Sequence, residues 1–207
     1  MTGLRNRRFL TQQIGGDVVR ALRRYEGRGQ TGSVSAENAD LLFFIVDIDH
    51  FKRVIDQHGH AAADAVLAQI RARLERVFRS TDYLVRWGGE EFLIVARDAD
   101  RAHAAELAER VRHEVHSEAF RLDDGSLPAC SCSLGFASFP LSQAHSQAMD
   151  WNDCLKLADA ALYAAKNRGR NAWVGVTGAA AVPEAELLRP RSAQEWLASG
   201  QLQVLNS

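Results

Sequence analysis

The sequence predicts an α+β domain with a β-hairpin inside it, and three observations carry that prediction. "LLFFIVDI" (41–48) is continuously apolar and partly β-branched, as in a strand buried on both faces. "YLVRW" and "FLIVA" flank "GGEE", two strand-like runs joined through a glycine turn. Between and around them, apolar residues recur at helical spacing.

The elements follow in order. Leu10, Ile14, Val18, Leu22 and Tyr25 give a first helix over roughly 6–25, and "EGRGQTGSVSAEN" is a Gly/Ser-rich loop. After the strand 41–48 come a short helical piece near 51–57, a break at "HGH", and a longer helix with Val66, Ile70, Leu74 and Val77 on one face. The two hairpin strands are next, then a helix marked by Ala104, Leu107, Val111 and Val115. "PACSCSLGFASF" alternates like a strand. Trp151, Leu155, Ala158, Leu162 and Ala165 mark a further helix, ended by Gly169, and "AWVGV" is the closing strand. The order is α-β-α-α-β-β-α-β-α-β. From Thr177 the character changes, so 1–176 is the expected domain and 177–207 an extension with one short helix near 192–199. That tail is expected to cap the sheet or to supply dimer contacts through Trp196 and Leu197.

Composition narrows the function. The 207 residues are 46% apolar and 25% charged, ordinary for a globular chain. With 25 Lys+Arg against 26 Asp+Glu the net charge is -1, which argues against a nucleic-acid polymer as partner. No run reaches membrane-spanning length and the start lacks a signal-peptide core, so a cytoplasmic location is expected. Cys130, Cys132 and Cys154 have no metal spacing and are expected as reduced, mostly buried thiols.

The chemistry concentrates in two stretches. Asp47 and Asp49 stand two apart at a strand end, where their side chains should share a face and hold a divalent cation. Asp49 also suits a helix N-cap. Gly88 and Gly89 permit positive φ and close approach of a ligand, and Glu90 and Glu91 follow at once. If the Asp47 strand pairs with the hairpin, one of these glutamates converges on Asp47, a metal site suited to phosphoryl transfer. Lys52 opens a helix whose N–H groups attract phosphate. Lys166 and Arg170, four apart at a helix end, supply further positive charge there, whether for phosphate or for the helix dipole.

Taken together these motifs resemble the GGDEF domains, which are diguanylate cyclases. "MTGLRNRRFL" resembles the family's N-terminal motif, "DIDHFK" its metal and phosphate turn, and "RWGGEEF" its signature in the Glu form. "SLGFASF" and "ADAALYAAKNRGRN" resemble the later strand and closing helix, so the likeness covers about 2–176. It implies a central, mostly antiparallel five-stranded sheet flanked by helices, palm-like, with the signature on a hairpin. It implies joining of two GTP molecules into cyclic di-GMP across a transient homodimer, with two Mg²⁺ (or Mn²⁺) per site. On that reading Asp47, the Ile48 carbonyl, Glu90 and Glu91 hold metal, and Glu90 also helps deprotonate the attacking 3′-hydroxyl. Lys52, Lys166 and Arg170 hold phosphates, with Lys52 offsetting transition-state charge. Asp64 reads guanine, and Phe51, Asp56, Gly88 and Gly89 complete the nucleotide-binding set. "RSTD" resembles the R-x-x-D site that binds product, giving Arg79 and Asp82, with Arg110 as helper.

Two departures qualify the likeness. Ile55 stands where the family has a guanine-binding asparagine, and Ala63 replaces a glycine. An unmet buried hydrogen bond costs about 1–3 kcal/mol, so weaker GTP binding or looser base choice is expected. The N-terminal motif lacks its leading aspartate, so the chain is expected to be a fragment of a longer protein, or one whose N-terminal region is unusually short, with weak dimerisation in the absence of an upstream sensory domain. Besides a cyclase, the sequence therefore allows a catalytically weak or inactive cyclic di-GMP receptor, or a cyclase with relaxed purine preference.

Overall fold

The computed structural model describes residues 5–26, 38–179, 182–187 and 191–207. The first four residues of the N-terminal motif and most of the Gly/Ser-rich loop lie outside them. The described elements run β1 (Arg5–Asn6), α1 (Arg7–Glu26), β2 (Asp40–Ile48), α2 (Phe51–Val77), β3 (Tyr83–Arg86) and β4 (Glu91–Ala99). A 3-10 turn (Arg101–His103) leads into α3 (Ala104–His116), followed by β5 (Cys132–Phe139), α4 (Trp151–Asn167) and β6 (Trp173–Gly178). The chain closes with α5 (Glu184–Leu187), α6 (Ala193–Ala198) and β7 (Gln203–Asn206).

The expectation of five strands is corrected, among the described residues, to one seven-stranded sheet in the order β1-β3-β4-β2-β5-β6-β7. Both extra strands are edges. β1 is two residues pairing parallel with β3, and β7 pairs antiparallel with β6. Otherwise the sheet is mostly antiparallel, with β5–β6 parallel.

β2 is continuously apolar because it lies at the centre and both faces are covered. Leu42, Phe44, Val46 and Ile48 face α2 and α3, which contribute Val66, Ile70, Val111 and Val115. Leu41, Phe43 and Ile45 face α1 and α4, which contribute Leu10, Ile14, Leu157 and Leu162. The break expected at "HGH" is a kink within α2, where Gly59 takes φ 79°. The tail folds onto the second layer. Trp196 is buried there under the Arg191 guanidinium, 4.7 Å from its ring centroid, and Leu197 is partly buried against the same cluster. Trp196 is therefore spent on its own chain rather than free for a dimer. All three cysteines are buried free thiols.

α4 approaches β5 closely at Gly135. A Cβ there would lie 2.0 Å from the Ala158 carbonyl oxygen and 2.2 Å from the Leu162 nitrogen, both backbone atoms. Overpacking costs about 1–3 kcal/mol, and rigid backbone puts Gly135→Ala at about 3 kcal/mol. Urea denaturation of the variant checks this, and an unchanged midpoint would refute the close contact.

Candidate active site

One end of the sheet gathers most of the sequence-predicted residues. The C-terminal end of β2, the start of β4, the start of β5 and the turn from α4 into β6 all meet there. Asp47 pairs in Cα register with Glu91 on one side and with Ser133 on the other. Both carboxylates lie on the α4 side of the sheet, since their neighbours Ile45 and Leu93 do. Lys166 Nζ, from the last turn of α4, donates to Asp47 Oδ1 at 2.8 Å.

Burial raises the Asp47 carboxyl above its usual 3.8; the Lys166 hydrogen bond opposes this and the Asp49 charge adds to it. Burial also raises Glu91 above 4.5, with the Asp47 charge the next cause. Two desolvated carboxylates, Glu91 raised further by the Asp47 charge and Asp47 by that of Asp49, face the charges of Lys166 and Arg170. Among the described residues no three His, Cys, Asp or Glu side chains converge. Asp47 and Glu91 are hard oxygen donors, a chemistry that fits a divalent cation drawing its remaining oxygens from water or phosphate.

The signature turn does not use the positive φ that its glycines permit. The Trp87 N–H donates to the Glu91 carbonyl at 2.9 Å, closing the loop 88–90. Neither Gly88 nor Gly89 takes positive φ, and it is Gly88 that leaves room, for the Glu91 side chain. A Cβ at Gly88 would sit 2.6 Å from Glu91 Oε2. Gly89 faces open space. Arg86, which the sequence reading passed over, clasps the turn: its Nε donates to the Gly88 carbonyl at 2.8 Å and Nη2 to that of Gly89. Its guanidinium feels the charges of Asp64 and Glu90, which places α2 and the turn around it. The signal was available in "RWGG", an arginine set directly before the turn. Arg7 lies over the Trp87 ring at 4.5 Å, joining the N-terminal motif to the signature.

Asp49 is not the N-cap of α2. The cap is His50, at φ 54° and with no side-chain cap bond. Asp49 instead accepts from the Ser131 and Ser133 hydroxyls at 2.6 and 2.7 Å and from the Asn171 N–H at 2.9 Å. Phe51 buries its ring in the core, leaving only backbone for a ligand. Lys52, Asp56 and Asp64 are exposed on α2. Ile55 is half-buried against the first core cluster, and Ala63 is buried in it. Arg170 lies beyond α4, not on it, in a turn where Gly169, Arg170 and Asn171 have φ 114°, 65° and 45°. Left-handed backbone costs a non-glycine residue roughly 1–2 kcal/mol. The Arg170 charge still reaches Asp47.

The R-x-x-D residues sit elsewhere. Arg79, Asp82 and Arg110 line one cavity of 320 Å³ with Arg97, His103 and Glu106. It lies toward the other end of β4: Glu91 to Arg97 is six residues, about 20 Å of strand. Asp82 is occupied by two backbone donors, Arg79 N–H at 2.9 Å and Arg97 N–H at 3.0 Å.

With this geometry in place, comparison with known proteins is decisive. The model of the GGDEF domain of diguanylate cyclases matches residues 1–172. The chain belongs to the GGDEF-domain family of diguanylate cyclases. This GGDEF domain is similar to diguanylate cyclase DosC of Escherichia coli K12, 34% identical over 171 residues, 83% of this chain and 33% of DosC. It thus spans about a third of that relative's length. Among solved structures it resembles the active GGEEF domain of a diguanylate cyclase from Vibrio cholerae, at 30% identity and TM-score 0.62, covering 81% of this chain and 94% of that one. It also resembles the GGDEF domain of DgcB from Caulobacter crescentus in complex with c-di-GMP, at 28% identity and TM-score 0.64, covering 82% and 86%. No helix of the described GGDEF domain is long and apolar enough to cross a membrane.

Proposed function

We propose that this chain condenses two GTP into cyclic di-GMP and pyrophosphate, with residues 1–176 as the catalytic unit. The observation that carries the reading is Asp47 facing Glu91 in strand register, with Lys166 on Asp47, beside the Gly88-Gly89 turn. Asp47, the Ile48 carbonyl and Glu91 would hold Mg²⁺ or Mn²⁺, with Glu90 at the turn contributing to a second ion. Bound there, the cations would neutralise the triphosphate and polarise the reacting oxygens. Lys166, Lys52 and Arg170 grip phosphate oxygens, and Lys52 at the start of α2 adds its charge to helix N–H groups. Glu90 accepts the proton of the attacking 3′-hydroxyl. Asp64 accepts from guanine, beside Arg86. Each domain holds one GTP, so two copies must face each other for reaction. Half-buried Ile55 offers no hydrogen bond to guanine, which supports looser base choice than the family's asparagine gives.

The cavity of Arg79, Asp82 and Arg110 supports a second role, binding the product. Arginine grips phosphate and guanine edges. Asp82 keeps acceptor capacity beyond its two backbone donors.

One experiment tests both. The chain is incubated at high concentration with GTP and Mg²⁺, alone and with ATP in competition, and the nucleotides are quantified. Cyclic di-GMP is expected from the wild type and none from Glu90→Gln. Added cyclic di-GMP is expected to slow turnover, and Arg79→Ala to remove that inhibition. Equal product from Glu90→Gln would sink the cyclase assignment. Cyclic di-GMP binding without turnover would favour a receptor.

A further inference from the structure

Arg170 stands in the middle of a turn that its own sequence does not favour. Three consecutive residues are left-handed, and only the first, Gly169, is a glycine. Such backbone persists where its surroundings over-determine it. Two contacts do so here, both through Asn171. Its N–H donates to Asp49, which Ser131 and Ser133 hold in place. Its side-chain oxygen accepts from Arg112 Nη1 at 3.1 Å.

Arg112 is itself locked. Glu109 accepts from its Nε at 3.0 Å and its Nη2 at 2.6 Å, and the same carboxylate accepts from the Trp173 indole N–H at 3.0 Å. Trp173 opens the strand that leaves the turn. Arg112 and Glu109 belong to α3, which covers the opposite face of the sheet from Asp47, Glu91 and Lys166. The clamp therefore reaches the candidate active site from the far layer, past the strand ends. Arg170 has no hydrogen-bond or ion-pair partner among the described residues, yet its charge is felt at Asp47.

We infer that Arg112, fixed by Glu109, is a positioning residue for Arg170. It holds the left-handed turn so that the Arg170 guanidinium is aimed at the nucleotide phosphates before they arrive. The inference rests on the cyclase reading and names a determinant of its phosphate affinity. Without the clamp, Arg170 samples many conformations and must be ordered when nucleotide binds, which weakens binding.

The test compares Arg112→Met, Arg170→Ala and the double variant in the full chain. GTP affinity with Mg²⁺, KM and kcat are measured, together with hydrogen exchange of the Asn171 amide. Arg112→Met is expected to raise Kd and KM about 3- to 10-fold, with kcat changed less than about twofold. The double variant is expected to match Arg170→Ala alone, because Arg112 acts through Arg170. The Asn171 amide is expected to exchange about tenfold faster in Arg112→Met. An effect of Arg112→Met that adds in full to that of Arg170→Ala overturns the inference, as does unchanged exchange. If the wild type neither binds GTP nor forms cyclic di-GMP, the cyclase reading falls, and the Asn171 exchange rate alone decides the clamp.

Discussion

Asp47→Asn is expected to lose at least about 10³-fold in cyclic di-GMP turnover, because a catalytic cation supplies several kcal/mol and each 1.36 kcal/mol is tenfold. The same change is expected to leave the metal-free protein as stable as before, or more so. Asp47 is buried and its carboxyl is pushed above the usual range, so the fold disfavours the charge it carries. Asparagine keeps the shape and removes that charge. Lys166 loses its partner, but its side chain is 30% exposed and keeps water. The pH dependence follows with a definite sign. Carboxyls raised above 3.8 and 4.5 contribute stability below those values, and that contribution is lost as pH rises through the folded-state pKa. A cation on the pair reverses the loss. The gain in Tm from Mg²⁺ should therefore grow between about pH 4 and about pH 7 in the wild type. It should be much smaller in Asp47→Asn. A variant that kept a tenth of the wild-type turnover would show that Asp47 does not carry the cation, and one that unfolded would show Asp47 to be structural.

How much of this was legible in the sequence depends on the range of the interaction. β2 announced itself because a central strand is apolar on both faces, and the GGEE hairpin because strand, turn and strand are contiguous. The convergence of a signature glutamate with Asp47 was foreseeable once the two strands were paired; that the partner in register is Glu91 needed the structure. The edge strands were not legible. β1 is two residues long and β7 is four exposed ones, too short for any periodicity to show. For the glycines the sequence left two roles open, positive φ or empty space, and only the structure shows that neither takes positive φ. Asp49 precedes a helix, which suggests a cap, but its bonds go to residues 82 to 122 positions away. Arg112 and Arg101 were invisible as functional or structural centres, and Arg86 showed only as the arginine before the turn. An arginine's partners are fixed by tertiary packing, and a surface arginine has the same letter.

Arg101 gives the largest expected loss of stability. Arg101→Met is expected to destabilise the fold by about 3–5 kcal/mol, because it leaves a buried charge without its partner. Its side chain is only 13% exposed, and it lies at the sheet end opposite Asp47–Glu91. The guanidinium donates to both oxygens of buried Asp40, at 2.6 and 2.8 Å. It also donates to the Thr177 carbonyl at 2.9 Å, the Pro140 carbonyl at 2.8 Å and the Tyr25 hydroxyl at 3.1 Å. These partners come from the end of α1, the start of β2, the exit of β5 and the end of β6. One side chain thus ties four separate segments. Methionine keeps much of the volume but none of the donors, so the Asp40 carboxylate remains buried with its charge unmatched. For a chain of this size, the Tm should fall by roughly 10 °C. Adding Asp40→Asn to Arg101→Met removes the orphaned charge and should recover part of the loss, as apolar or neutral replacement of a whole buried pair often does. Urea denaturation of the two variants separates the cases. A double variant no more stable than Arg101→Met would mean that the carbonyl contacts, rather than the ion pair, carry the stability.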